Sequence, residues 1–403
     1  MSDIRTPVYF MQIPSRHDYK VGHIIELLRS GENFFAACEK VIDEAKQFIH
    51  FQTYIIDDDE TGRRIVNALI RAAERGIRVY FLLDAYGGNS FSKELINKVE
   101  EAGILFRLFS PALITRGFQF SLRLHHKVLL ADGDTAIIGG MNIADRYHGK
   151  AGFKEWLDFA ILIKGPECAH VLFILKRLWN RAFISRKERS RETMHNPMQY
   201  AENIKVKVLQ NNWYRNKIEI LKSYRSALKH AQNRMTIFGS YFLPGRNERR
   251  LLRNASRRGV NIKIVLSADS DSPVFKRATN FLYDFILRNN IIIYEYLPSN
   301  LHAKVATVDG RWSTIGSYNM NHLSDYGSIE MNADILDNQF AEKFEGFLQE
   351  IIEKDCRQVT FEEYIRRKTW LFQLTDWFSY QMIRIMMRLM FALAAKRSKP
   401  NYP

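Results

Sequence analysis

The stretch "RLHHKVLLADGDTAIIGGMN", Arg123 to Asn142, returns later in the chain as "LHAKVATVDGRWSTIGSYN", Leu301 to Asn319. The motif residues agree at every spacing. His125-x-Lys127 answers His302-x-Lys304, Asp132 answers Asp309 at the same remove, and Gly139-Gly140-x-Asn142 answers Gly316-Ser317-x-Asn319. The likeness extends upstream. "AKQFIHFQTYIIDDDETGRRIVNALIRAAERGIRVYFLLD" from Ala45 and "AQNRMTIFGSYFLPGRNERRLLRNASRRGVNIKIVLSAD" from Ala231 each read as a β-run, a turn, an amphipathic helix ending at glycine (Gly76, Gly259) and a second β-run. Strands alternating with helices imply βαβ units, here present twice. The expected fold is therefore α/β: two tandem α/β/α domains related by a pseudo-twofold. The spacing places an N-terminal segment at 1–20, the first domain at 21–184, a polar, basic linker at 185–200, the second domain at 201–360 and a tail at 361–403. The first copy is longer just before its motif, at "PALITRGFQFSLR", Pro111 to Arg123.

Residues two apart in a strand share a face, so His125 and Lys127 point one way and His126 the other. His302 and Lys304 behave alike. The small residues Gly139, Gly140, Gly316 and Ser317 are expected at the substrate, where they let Asn142 and Asn319 approach the same face. Two halves about a twofold then present two imidazoles, two ammonium groups and two carboxamides to one pocket. That set suits a phosphodiester. One imidazole can attack phosphorus and split a hard step into two; the other can protonate the leaving alkoxide and later deprotonate the incoming alcohol. Lysine and asparagine donors can hold the non-bridging oxygens. No metal and no cofactor are expected. Each histidine needs an orienting carboxylate. Asp158 in "EWLDFAIL" and Glu330 in "YGSIEMNADIL" are candidates, and so are Asp132 and Asp309. The latter two lie at odd parity from the histidines, which turns them away from the pocket toward a turn or interface. Arg116 and Arg123 in the pre-motif insert are candidate substrate contacts, with a plain surface loop as the alternative.

The charge of +15 and pI near 9.6 favour a polyanionic partner, nucleic acid or an anionic membrane surface. Cys38, Cys168 and Cys356 are scattered, with no zinc spacing and no disulfide framework. The N-terminus lacks a signal-peptide core, and no uncharged run reaches the ~18–20 residues that span a bilayer. The tail separates the two partner classes. From Thr369 to Lys399 its polar residues Gln373, Asp376, Tyr380, Arg384 and Arg388 form one helical stripe, and the rest is Trp, Phe, Leu, Ile and Met. An amphipathic interfacial helix over 369–395 is expected, with packing on the core or on another subunit as the alternative.

The duplicated H-x-K-x4-D-x6-G-[GS]-x-N resembles the phospholipase D superfamily. With "FLLDAYG", the insert, "EWLDFAI" and the tail, the chain looks most like bacterial cardiolipin synthases of the short type without N-terminal membrane spans. The resemblance runs from about Val21 to Trp370. It implies a phosphatidyltransferase that forms cardiolipin from phosphatidylglycerol through a phosphohistidine. It also implies His125 as nucleophile, His302 as general acid, and Asp158 and Glu330 as the histidine-orienting acids. The partners would be anionic phospholipids (phosphatidylglycerol, cardiolipin) at the cytoplasmic face of the inner membrane, with no nucleic acid. A hydrolase releasing phosphatidic acid, a nuclease of the same superfamily, or a silent membrane scaffold stand as alternatives.

Overall fold

The computed structural model describes residues 18–109, 123–181, 188–193, 199–212, 215, 217–367 and 369–397. The first half runs β1 (Lys20–Arg29), α1 (Glu32–Glu44), β2 (Phe48–Thr53), α2 (Glu60–Glu74), β3 (Arg78–Asp84), α3 (Lys93–Glu101), β4 (Leu105–Phe109), β5 (Arg123–Leu124), β6 (Lys127–Ala131), β7 (Thr135–Gly139), α4 (Asp145–His148), β8 (Phe159–Lys164) and α5 (Cys168–Trp179). The second runs β9 (Ile204–Asn212), β10 (Lys217–Ile218), α6 (Glu219–His230), β11 (Arg234–Gly239), α7 (Arg246–Arg257), β12 (Asn261–Ser267), α8 (Pro273–Phe281), α9 (Tyr283–Arg288), β13 (Ile292–Tyr296), β14 (Lys304–Val308), β15 (Trp312–Gly316), α10 (His322–Tyr326), β16 (Ser328–Leu336) and α11 (Asn338–Asp355). The short β17 (Cys356–Val359) and helices α12 (Phe361–Arg367) and α13 (Trp370–Arg397) follow.

Hydrogen bonding orders the first sheet β1-β8-β7-β6-β2-β3-β4. The second sheet repeats this order as β9-β16-β15-β14-β11-β12-β13 and adds β17 at its edge. In both, the three strands of the βαβ units run parallel and the motif hairpin runs antiparallel. The two sheets meet where β1 pairs with β9 and β5 with β16.

Local chemistry sets the element ends. Asp59 starts α2 by accepting from the Gly62 amide at 2.8 Å. Gly76 and Gly259, at φ of 83° and 90°, stop α2 and α7 in the left-handed conformation that glycine adopts at least cost. Strands β6 and β14 are buried throughout, as expected of central strands covered on both faces. Each half has its own apolar cluster beneath α1–α3 or α6–α9. A third cluster joins the facing sides of both sheets with α5 and α11. This shared core fixes the two halves against each other and so fixes the site between them.

Within the stretch expected to be a linker, Glu192 binds Arg78 at 2.6 Å and Tyr80 at 2.9 Å, and Ser190 and Asn180 exchange hydrogen bonds. That part is strapped to the first half.

Candidate active site

The turn into β6 places His125 beside β16, because the amides of His125 and His126 both donate to the Ile329 carbonyl. The mirror arrangement holds for His302, whose amide donates to Leu157. These strand contacts cross between the halves, and the carboxylates follow them. His125 Nδ1 lies 2.9 Å from Glu330 Oε2, and His302 Nδ1 lies 2.6 Å from Asp158 Oδ2. Each histidine thus takes its acid from the other half, the reciprocal contact expected of a twofold interface. Lys127 Nζ donates to the His125 carbonyl at 2.6 Å. Lys304 Nζ contacts the His302 carbonyl and lies 3.8 Å from Asp158. With both Nδ1 atoms engaged, Nε2 of each ring is left for substrate.

The two cradles differ. Glu330 also accepts from Ser317 Oγ at 2.5 Å and Ser328 Oγ at 2.6 Å. Asp158 receives the Phe159 amide at 2.8 Å and no serine hydroxyl among the described residues. Burial would raise Glu330, but His125, Lys127 and Ser317 outweigh it and hold the carboxyl below its ordinary value. Burial pushes Asp158 up to about 7 against the pull of Lys304. Burial likewise lowers both histidines, Lys127 to about 7 and Lys304 to about 8. An anionic phosphodiester between the lysines would restore their charge.

Asp132 and Asp309, kept among the catalytic candidates, do not belong there. They sit at the far end of the motif strands at φ of 53°. Asp132 accepts the amides of Lys46, Gln47 and Phe48 at 2.8, 2.8 and 3.1 Å. Asp309 accepts those of Gln232, Asn233 and Arg234 at 2.9, 2.8 and 2.8 Å. Each pins the hairpin to the start of the first βαβ strand, as the strand parity predicts. The small residues expected at the substrate are also corrected. A Cβ at Gly139 would come within 2.5 Å of Ala160 Cβ, and one at Gly140 within 2.6 Å of the Asp158 carboxylate. A Cβ at Gly316 would overlap Asn332 and the Met331 carbonyl. Ser317 is fully buried on Glu330. These four let strands and acids approach the histidines and leave no face for substrate.

Asn142 Nδ2 donates to Tyr147 Oη at 2.8 Å, and Asn319 Oδ1 accepts the Tyr241 amide at 3.4 Å. Both asparagines thus meet the site through a tyrosine. Arg123 pairs with buried Asp84 at 3.3 Å and lies over Tyr86. Arg116 lies outside the described residues. His126 is buried on Gln52 at 3.0 Å, away from the pocket as parity predicts. Sequence reasoning missed the aromatic wall. Tyr54 lies 5.1 Å from the His125 ring with Lys127 above it, while Tyr147, Trp156 and Tyr241 surround His302 at 5.2, 6.2 and 6.5 Å. Tyr54 follows β2 directly, whereas Tyr241 lies two residues beyond the end of β11, so the repeat aligns Tyr54 with Ser240 and gives no matched signal for the pair. Among the described residues no group of three or more His, Cys, Asp or Glu is arranged to hold a metal ion.

A duplicated sheet with two histidine–lysine pairs and exchanged acids at its twofold is the phospholipase D architecture. The family described as "Cardiolipin synthase, PLD-like domain" matches residues 39–179 and 224–352, and the chain belongs to that family. It is 32% identical to cardiolipin synthase B of Escherichia coli K12 over 87% of this chain and 86% of that one. It is 27% identical to a cardiolipin synthase of Geobacillus sp. WCH70 over 85% and 68%. Its fold is that of phosphatidylserine synthase from Haemophilus influenzae Rd KW20, with a TM-score of 0.69 at 15% identity, covering 92% and 96% of the two chains.

Proposed function

We propose that this chain is a phosphatidyltransferase that makes cardiolipin from two molecules of phosphatidylglycerol at a membrane surface. His125 Nε2 attacks phosphorus of the first lipid, and the bond from phosphorus to the glycerol headgroup breaks. His302 gives its proton to the departing glycerol alkoxide. A headgroup hydroxyl of the second phosphatidylglycerol then enters, loses its proton to His302 and takes the phosphatidyl group from His125. Cardiolipin and glycerol leave, and the enzyme is regenerated.

The exchanged histidine–carboxylate pairs carry this reading, because they make the two rings chemically unequal. Glu330, held ionised by His125, Lys127 and two serines, stabilises the positive ring that forms when His125 is phosphorylated. Burial raises the Asp158 carboxyl to about 7, which lets the Asp158–His302 pair hold a proton near neutrality, as a general acid requires. Lys127 and Lys304 take up the charge that develops on the phosphoryl oxygens. The test is purified protein with labelled phosphatidylglycerol vesicles, products resolved by mass spectrometry. Cardiolipin with equimolar glycerol is expected. Phosphatidic acid as the sole lipid product would replace this reading with a hydrolase, and cleavage of DNA or RNA without lipid turnover would replace it with a nuclease.

A further inference from the structure

Helix α13 is turned inside out relative to an ordinary surface helix. The middle of its mixed polar stripe faces the protein: Tyr380 stacks on Phe281 of α8 at 4.7 Å, Arg384 lines a cavity with Arg225 and Glu248, and Ser379, Ile383 and Met387 are buried. Its opposite stripe, Leu371, Leu374, Phe378, Met382 and Ile385 at spacings of three and four, points outward. Phe378 is 62% exposed, and Trp370 and Phe372 in the first turn of the helix are 71% and 58% exposed. Water-facing helices of soluble proteins carry the reverse pattern, and contiguous apolar patches of this kind mark an interaction surface.

The surroundings say what covers it. Arg249 and exposed Arg366, together with Asp284, Glu295 and Asp376, line the groove of about 1080 Å3 that runs beneath Trp370, Phe372 and Trp377, so the positive character of this face comes from the chain as a whole rather than from the groove alone. Arg246, Arg250 and Arg257 of the adjoining α7 are exposed as well. An apolar ridge with Arg249 and Arg366 in the groove beside it, on a chain of net charge +15, complements an anionic lipid surface, whose headgroups meet the basic residues and whose acyl chains meet the ridge. Among the described residues no helix is long and apolar enough to cross a membrane, so α13 would lie along one. Position agrees. Helix α8 is nine residues, about 13 Å, long. Its Phe275 packs on Tyr241 beside His302, and its Phe281 packs on α13. The ridge therefore lies one short helix from the catalytic centre.

We infer that the outward face of α13 is the surface by which the protein docks on anionic bilayers, which rests on the proposed lipid substrate only for its purpose and not for its test. The experiment uses the full chain carrying Trp370→Ser, Phe372→Ser and Phe378→Ser together. Co-sedimentation with vesicles of phosphatidylethanolamine and phosphatidylglycerol is compared with hydrolysis of a soluble aryl phosphodiester and with the melting temperature. Vesicle binding is expected to weaken at least tenfold, with soluble turnover and melting temperature unchanged. Unchanged vesicle binding overturns the inference. So does a dimer in the parent protein, seen by analytical ultracentrifugation, that the substitutions dissociate while vesicle binding stays as it was. If vesicle binding weakens as expected but no cardiolipin is ever formed, the docking surface stands and the proposed reaction falls.

Discussion

Asp132 offers a sharp test, because its place in the motif and its place in the structure argue opposite roles. Replace it with alanine. Three amides, at 2.8, 2.8 and 3.1 Å, lose a carboxylate acceptor. Each bond to a charged group is worth up to ~1.5–3 kcal/mol when desolvated, but this turn is exposed and water takes over, so about 0.5–1 kcal/mol per amide is the appropriate scale. Alanine at φ of 53° adds about 1 kcal/mol that aspartate largely avoids. The sum is about 2.5–4 kcal/mol, which lowers the melting temperature by roughly 5–16 °C for a domain of this size. Asp309→Ala should cost a similar amount from the matching turn, and the distant pair should add. The assay is thermal melting together with kcat on a soluble phosphodiester, well below the transition. Folded Asp132→Ala protein should keep kcat within about threefold. A fall of a hundredfold or more with an unchanged melting temperature would refute the structural role and return Asp132 to the chemistry.

Other expectations concern the pocket. His125→Ala and His302→Ala should each abolish turnover and the double variant should be little worse, as for groups acting in one unit; only His302→Ala should hold a phosphatidyl adduct, by mass spectrometry, from an activated substrate. Asp158 has its carboxyl raised to about 7, so its pair keeps a proton below that pH and loses it above; the alkaline limb of kcat/KM should report this loss, and Asp158→Asn should displace that limb while Ser317→Gly does not. Ser317→Gly removes one hydroxyl from Glu330, about 1.4 kcal/mol, and should lower kcat about tenfold at constant KM, with no change in vesicle binding. With Lys127 and Lys304 as the charge-stabilising groups, EDTA should leave turnover of a soluble phosphodiester unaltered; activity lost to EDTA and restored by one divalent ion would oppose this.

Much of the fold was legible because the chain states it twice. Alternation of β-runs and helices, glycine stops at Gly76 and Gly259, and the paired motifs are local signals, and strand parity was enough to turn His126, Asp132 and Asp309 from the pocket. What escaped was non-local. Nothing near His125 indicates that its acid lies in the other half, because that follows from β5 pairing with β16. The aromatics Tyr54, Tyr147, Trp156 and Tyr241 come from four separate loops or helices and carry no common spacing. Gly139 and Gly140 were misread because smallness near a site suggests substrate access, whereas here it admits a neighbouring strand and the Asp158 carboxylate. The tail's polar stripe could be read, but which stripe meets the protein depends on Phe281, nearly a hundred residues away.

The two serines on Glu330 have a consequence for how such a site can evolve. A symmetric dimer of single-domain chains would have to install every substitution on both sides of its axis at once, so its two histidines would be bound to one proton affinity. A fused pair escapes that constraint. Ser317 and Ser328 load one cradle with hydroxyl donors, while their counterparts Gly140 and Trp156 leave the other bare. Two inherited copies of one geometry can then specialise, one histidine for bonding and the other for carrying protons, without either strand order or hydrogen-bond register having to change.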